Sequence, residues 1–230
     1  ISKWYNNKFT SYFVDENVST NSCHSILEDR EGTIWVGTDG GGCFKIPYQN
    51  IFNFTMKEGL SANVANAVTG DSRGNIFVGT DNGVDLFNGK AIIPISKNWI
   101  NSGNTVWSLK NYSRGNLWIG VERYLFQYRD GKVIDHKEIY RIGDSPILDI
   151  AEDSKNRMWF GSLNGLIVYD RGKTFFYDKK KNLPGNQIWC VFVDKQDHVW
   201  LGINGGLVRI ENGNAIDSLR FKVWTTADGL

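Results

Sequence analysis

One nine-residue phrase, Asp29-Arg30-Glu31-Gly32-Thr33-Ile34-Trp35-Val36-Gly37, is written five times along the chain, starting at Asp29, Asp71, Tyr112, Asp153 and Asp194. Its aromatic marker falls at Trp35, Phe77, Trp118, Trp159 and Trp200, spacings of 42, 41, 41 and 41 residues. A period of that length holds one supersecondary unit, so the chain is read as an array of like units.

The phrase is a tight turn running into a short strand. A leading aspartate accepts hydrogen bonds from the turn backbone, and the fourth position needs a left-handed conformation. That position is Gly32, Gly74, Gly115, Asn156 and Asp197, all residue types that tolerate positive φ. The strand that follows is apolar on consecutive residues, as in Ile34-Trp35-Val36 and Met158-Trp159-Phe160. Both faces of its sheet must therefore be covered.

Each unit reads as four antiparallel strands, A to D. In the first unit they are expected at Ser25–Glu28, Thr33–Thr38, Phe44–Tyr48 and Ile51–Met56, and later A strands at Asn66–Gly70, Val106–Asn111, Ile147–Glu152 and Ile188–Val193. Gly37, Gly79, Gly120, Gly161 and Gly202 close strand B and imply a bulge or a close backbone approach. Hairpin dipeptides join B to C at Gly40-Gly41, Asn82-Gly83, Asn164-Gly165 and Gly205-Gly206, while the third unit has Arg123-Tyr124. Asn21, Asn63, Asn104 and Asn186 recur in the D–A crossover.

Four-stranded units at this period, punctuated by aromatics and glycines, argue for an all-β β-propeller; a β-solenoid is the alternative, with coils that are usually shorter. The expected layout is one partial propeller over residues 1–230: a C–D half blade at 1–16, blades near 17–57, 58–98, 99–140, 141–180 and 181–226, and the start of a further repeat at 227–230. Five blades and a half leave two flanks uncovered, so the chain reads as a fragment of a longer propeller.

Charge and cysteines exclude several classes. With 26 basic and 25 acidic residues interspersed, there is no electrostatic footprint for nucleic acid or an anionic membrane. Cys23, Cys43 and Cys190 are an odd number without a CxxC pair, which signals neither a disulfide framework nor a zinc site. No metal, cofactor or catalytic residue is assigned: His24, His136 and His198 stand in no motif with a nucleophile, a ligand partner or a carboxylate at diagnostic spacing.

The phrase Ile26 to Thr38, with Gly59-Leu60-Ser61-Ala62-Asn63 between units, resembles the two-component regulator propeller repeat over essentially the whole chain. The resemblance implies seven-bladed propellers, often in tandem, in the periplasmic sensor region of hybrid two-component systems. It implies an inner-membrane-anchored protein with a downstream histidine kinase, sensing oligosaccharides and inducing genes for glycan use. The segment itself would be non-catalytic and free of direct membrane contact. Its partners would be an oligosaccharide, the remaining blades and neighbouring sensor domains of the same protein, with a homodimer allowed for. Tyr112, Arg123-Tyr124, Ile100-Asn101 and Arg141-Ile142 depart from the pattern.

In a propeller the D–A and B–C connections emerge on one face, where a ligand is expected. The candidate binding residues are His24, Trp99, Asn101, Asn104, Trp107, Arg123, Tyr124, Tyr140, Asp144, Asn164, Trp189 and Asn204. Trp and Tyr can stack on sugar rings; Asn, Asp and Arg can bond hydroxyls. Trp107 and Trp189 share a repeat position with His24, Asn66 and Leu148, which fits either mouth lining or blade packing. A propeller enzyme acting on polysaccharide, a lyase or glycosidase, and a protein-binding propeller are the rival functions.

Overall fold

In every blade that retains it, the repeated aspartate ties the turn to the blade core. Asp29 Oδ1 accepts from the backbone N–H of Glu31 and Thr33 at 3.0 and 2.9 Å, and its Oδ2 accepts from Trp35 Nε1 at 2.8 Å. Asp153 and Asp194 hold Trp159 and Trp200 in the same way, each at 2.8 Å. The bond from Trp200 holds the carboxyl of Asp194 down at about 2. Where the marker is Phe77, which has no N–H, Asn75 Nδ2 takes over as donor to Asp71 Oδ2 at 2.7 Å. The fourth turn position is left-handed, with φ of 76° at Gly32, 84° at Gly74, 61° at Asn156 and 65° at Asp197. Tyr112 keeps the hairpin closed through its backbone N–H to Asn116 O at 3.0 Å, but its buried hydroxyl has no partner among the described residues.

The computed structural model describes all residues except 1, 6, 12–21, 48–50, 99, 101–103, 113–115, 123, 130, 140–143 and 212–215. It opens on a hairpin, β1 (Ser2–Tyr5) and β2 (Lys8–Ser11). Five four-stranded antiparallel sheets follow in strict sequence order. Blade 1 is β3 (Cys23–Glu28), β4 (Ile34–Thr38), β5 (Cys43–Ile46) and β6 (Phe52–Phe54). Blade 2 is β7 (Ala65–Gly70), β8 (Ile76–Thr80), β9 (Gly83–Phe87) and β10 (Ile92–Pro94). Blade 3 is β11 (Val106–Asn111), β12 (Leu117–Val121), β13 (Tyr124–Arg129) and β14 (Lys132–Asp135). Blade 4 is β15 (Ile147–Glu152), β16 (Met158–Ser162), β17 (Leu166–Asp170) and β18 (Lys173–Tyr177). Blade 5 is β19 (Ile188–Val193), β20 (Val199–Ile203), β21 (Gly206–Ile210) and β22 (Phe221–Trp224). The expected all-β propeller blades are thus present, with strand bounds within a residue or two of those read from the repeat. Residues 12–16 of the expected half blade lie outside the described residues.

The described structure falls into two compact units, Ile1–Val106 and Trp107–Leu230. In the first, blade 1 packs on blade 2 around Trp35, with Leu60, Val68, Ile76 and Val78. In the second, blade 4 packs on blade 5 around Trp159, with Ile188, Val191, Val199 and Leu201. Gly37 shows why strand B ends in glycine: a Cβ there would lie 2.5 Å from Ala65 O of the next blade. The expected close backbone approach is what that position serves.

The D–A crossovers repeat as closely as the turns. Thr55, Asp178 and Thr225 each cap a one-turn loop, and its left-handed closing residue is Gly59, Asn182 or Gly229. Leu60 and Leu183 follow and are buried. Asn63 Oδ1 accepts from Met56 N, and Asn186 Oδ1 from Lys179 N, both at 2.9 Å. The recurring asparagines therefore shape the crossover, as their spacing implies.

Trp35, Trp118 and Trp159 are buried, as expected of core aromatics. Trp200 is only half-buried. It stacks on Trp224 at 5.5 Å, but lacks the cover that β7 gives Trp35 and β19 gives Trp159. Blade flanks show the same effect: Ile26 on β3 is 70% exposed while its counterpart Val68 is 9% exposed, and Phe192 on β19 is 62% exposed.

The Trp–Asp bond yields one prediction. Trp159→Phe should cost about 2 kcal/mol, since it removes a donor to a buried carboxylate while keeping an aromatic in place. Urea unfolding of the variant against the parent chain measures it.

Candidate functional site

Strand A carries a register slip at the same place in four blades. Pairing skips from Cys23 to Ser25, Ala65 to Ala67, Ile147 to Asp149 and Ile188 to Cys190. The skipped residues are His24, Asn66, Leu148 and Trp189, and Trp107 holds the matching place in β11. A bulge leaves its extra residue out of the ladder and re-aims the side chain, which is why bulges gather at binding sites. Both indoles are in part open to solvent: Trp107 is 37% and Trp189 56% exposed.

Fifteen residues beyond each bulge lies the B–C turn, and it reaches back to the bulge. Asn66 Nδ2 donates to Asp81 Oδ1 at 3.0 Å, and Trp107 Nε1 donates to Glu122 Oε2 at 2.7 Å. The turn is also clasped to the D–A crossover of its own blade. Asp39 N donates to Ser22 O at 3.1 Å, Asp81 N to Val64 O at 3.3 Å and Asn204 N to Gln187 O at 3.2 Å. Within each of these blades the B–C and D–A connections therefore share one end, as propeller topology requires.

In the first unit this end presents a polar chain: a ring nitrogen of His24 lies 2.8 Å from Asn66 Oδ1, and Asn66 continues to Asp81. The arrangement offers an imidazole, an amide and a carboxylate in series, suited to bonding hydroxyl groups. In the second unit it presents the two indoles, one fixed by a carboxylate. There Asn204 Nδ2 bonds Gln187 Oε1 at 3.3 Å, and Asn164 Nδ2 bonds Asp144 O at 3.4 Å. Asp144 is left-handed at φ 40° and exposed.

Among the other sequence candidates, Asn104 is half-buried in the crossover. Tyr124 is half-buried at the start of β13, paired with Val121 and stacked on Phe126 at 5.5 Å, so its ring belongs to the blade. Trp99, Asn101, Arg123 and Tyr140 lie outside the described residues. Asn66, named in the sequence only for its repeat position, joins this end with Asp81, Glu122 and Gln187, which were not singled out. For Asp81 and Glu122 the signal was the constant offset of fifteen residues from the bulge to the turn.

Two carboxylates, Asp85 buried and Asp149 half-buried, are scaffold. Asp85 accepts from Ser61 N at 2.8 Å and Ser61 Oγ at 2.7 Å, and burial raises its pKa. Asp149 accepts from Val191 N of the next blade at 2.8 Å, again with a burial-raised pKa. Among the described residues no group of three or more His, Cys, Asp or Glu is placed to hold a metal.

Residues 17–40, 141–164 and 182–205 match the model of the two component regulator propeller. Three stretches of the chain are thus similar to the two component regulator propeller repeat. Each match takes in a crossover, strand A, the aspartate turn and strand B, or their expected places.

The structure is similar to the extracellular domain assigned to a hybrid two component system of B. thetaiotaomicron: 21% identity, TM-score 0.81, covering 99% of this chain and 31% of that one. A second such domain from the same organism gives 24% identity and TM-score 0.71, covering 88% of this chain and 28% of that one. The chain thus spans about a third of the length of these proteins. Virginiamycin B lyase from Staphylococcus aureus is also similar, at 14% identity and TM-score 0.76, covering 95% of this chain and 74% of that one. At these identities the likeness is one of fold. No curated protein matches the chain. No helix among the described residues is long and apolar enough to cross a membrane.

Proposed function

We propose that these repeats belong to the extracellular or periplasmic sensor region of a hybrid two-component system, which binds an oligosaccharide at the B–C and D–A end of its blades. Occupancy is passed to a histidine kinase elsewhere in the same protein, which controls genes for glycan use. The observation that carries this reading is the pair of exposed indoles, Trp107 and Trp189, at the bulge position of strand A. An indole held at a strand bulge offers a flat apolar face beside polar groups, the combination that an alternately apolar and hydroxylated sugar ring requires.

The repeat family and the fold of the B. thetaiotaomicron domains support the sensor role. A non-catalytic role agrees with where two of the histidines sit, and with His24 meeting an amide, Asn66, rather than a nucleophile or a carboxylate. His198 bonds its own turn aspartate, Asp194, at 3.1 Å, and His136 stacks on Trp118 inside blade 3 at 4.6 Å.

The test is calorimetry of the intact sensor region and of this chain against a panel of defined oligosaccharides. For whichever member binds, Trp107→Ala and Trp189→Ala should each weaken affinity by about 30-fold, the effect of removing a binding hot spot worth about 2 kcal/mol. Unchanged affinity in both folded variants would sink the proposed site. Binding by the intact region with none by this chain would move the site to another part of the protein.

A further inference from the structure

At the opposite end of the first unit, where the A–B turns lie, a cavity of about 290 Å³ opens between blades 1 and 2. Blade 1 contributes Asp29, Arg30, Glu31, Trp35 and Lys45, and blade 2 contributes Ser72, Arg73 and Phe87. The volume is at the lower end of ligand sites, about 300 Å³. We propose that this cavity binds a small oxyanion-bearing ligand, a carboxylated or sulfated molecule about the size of one sugar ring.

Lys45 carries the argument. It is half-buried, with its ammonium 5.4 Å above the ring of Trp35 and 5.7 Å from that of Phe87, and it has no ion pair among the described residues. The same repeat position in blade 5 is Arg209, which also lies over its core tryptophan, 5.5 Å from Trp200. There the charge is met by Glu211, at 2.9 Å from Nε and 2.8 Å from Nη2. Two residues beyond Lys45 the chain has Pro47 where blade 5 has Glu211. A partly desolvated cation lacking the carboxylate its counterpart possesses is a place for an external anion.

The facing turns differ in the same sense. Between blades 4 and 5, Ser154 bonds Asp197 through its N–H at 2.8 Å and its hydroxyl at 2.7 Å. Between blades 1 and 2 the matching residues are Arg30 and Gly74, so a cation replaces the serine and the acid is gone. Arg30 is anchored across the blades by one N–H to Ser72 O at 2.6 Å, which leaves the rest of its guanidinium fork to meet an oxyanion. Three cations, Arg30, Lys45 and Arg73, thus face two carboxylates. Asp29 has both its oxygens engaged by turn and indole donors. Glu31 is exposed.

The experiment titrates the full chain with D-glucuronate, D-glucose and inorganic sulfate, followed by NMR shifts and calorimetry. Glucuronate is expected to saturate, with glucose at least about tenfold weaker, and sulfate competing if the charged group dominates. Lys45→Gln and Arg30→Gln should each weaken glucuronate about fivefold or more. Glu31→Gln should strengthen it about twofold, and raised salt should weaken it. Arg209→Gln should change nothing, and the NMR shifts should fall on residues lining this cavity rather than on Trp107 and Trp189, so this cavity and the proposed glycan site fail or stand separately. Thermal melts confirm that each variant folds. The proposal is overturned if no anion saturates, if glucose matches glucuronate, or if the Lys45, Arg30 and Glu31 variants leave affinity unmoved.

Discussion

Asp153→Ala is expected to destabilise the second unit by about 3–5 kcal/mol, the range for removing one partner of a buried ion pair. Asp153 and Arg157 are both buried, and Arg157 Nε lies 2.5 Å from Asp153 Oδ2. The same oxygen accepts from Trp159 Nε1, while Oδ1 accepts from the backbone N–H of Lys155 and Arg157, both at 3.0 Å. The guanidinium in turn lies 5.3 Å from the Trp159 ring. One substitution thus takes four hydrogen bonds from the turn and leaves a buried cation without its nearest carboxylate.

Asp71 provides the internal comparison, because residues 72–74 of its turn are exposed and Asn75 stands where Arg157 pairs with Asp153. Asp71→Ala should cost about 1 kcal/mol, as for an exposed turn or cap. Chemical denaturation of the two variants, read by tryptophan fluorescence, measures the difference. Asp153→Asn keeps an acceptor and should fall between the two. Asp153→Ala with Arg157→Met should recover part of the loss, because the stranded charge is removed with its partner. Equal costs for Asp153→Ala and Asp71→Ala would refute the coupling.

The two aspartates look alike in the sequence, and that marks the limit of what a repeat discloses. Period, turn and strand order were legible because five copies vote on each position: Gly32, Asn156 and Asp197 are chemically different, yet each tolerates the left-handed conformation the turn imposes. The aspartate's second role, holding the core indole, was hidden because it is a contact six residues away that only a folded hairpin creates. The B–C turns were misread for a related reason. Thr80 pairs with Gly83 and Ile203 with Gly206, so the two-residue loops are Asp81-Asn82 and Asn204-Gly205, one residue earlier than the dipeptides read from the sequence. In blade 1 Thr38 N bonds Gly42 O at 3.1 Å, so Gly40-Gly41 lies in a three-residue loop that Gly42 closes.

The candidate site was legible in part. Exposed tryptophans at one repeat position stood out against a packing alternative that sequence could not settle, since an indole suits either. The strand bulge decides where the side chain goes, and bulges arise from pairing between strands, which periodicity does not record. The partners Asp81 and Glu122 were passed over because acidic residues in turns have a ready local explanation. Only their fixed offset from the bulge separates an acid that shapes a turn from one that also holds a side chain at the site.

Gly42 supports the second large expectation. Its φ is 81°, where an L residue is strained by about 1–2 kcal/mol, and an added Cβ would lie 2.1 Å from Phe54 O and 3.0 Å from Phe54 C. Those atoms are strand backbone and cannot swing aside as a side chain would. Overpacking adds about 1–3 kcal/mol, so Gly42→Ala should cost about 2–5 kcal/mol in all. Gly42 N also donates to Asn63 O in the following crossover at 2.6 Å, so a shift that relieves the clash pulls on the link between blades 1 and 2. Gly74→Ala separates the two causes: φ is 84° there, but nothing lies within 4 Å of the added carbon. It should lose only the conformational share, about 1–2 kcal/mol. Hydrogen exchange should show the Gly42→Ala damage concentrated in β5, β6 and the crossover at Asn63, with the second unit unchanged. Equal losses for the two glycine variants would mean that backbone strain alone, and not the close approach of β6, dictates glycine at the start of strand C.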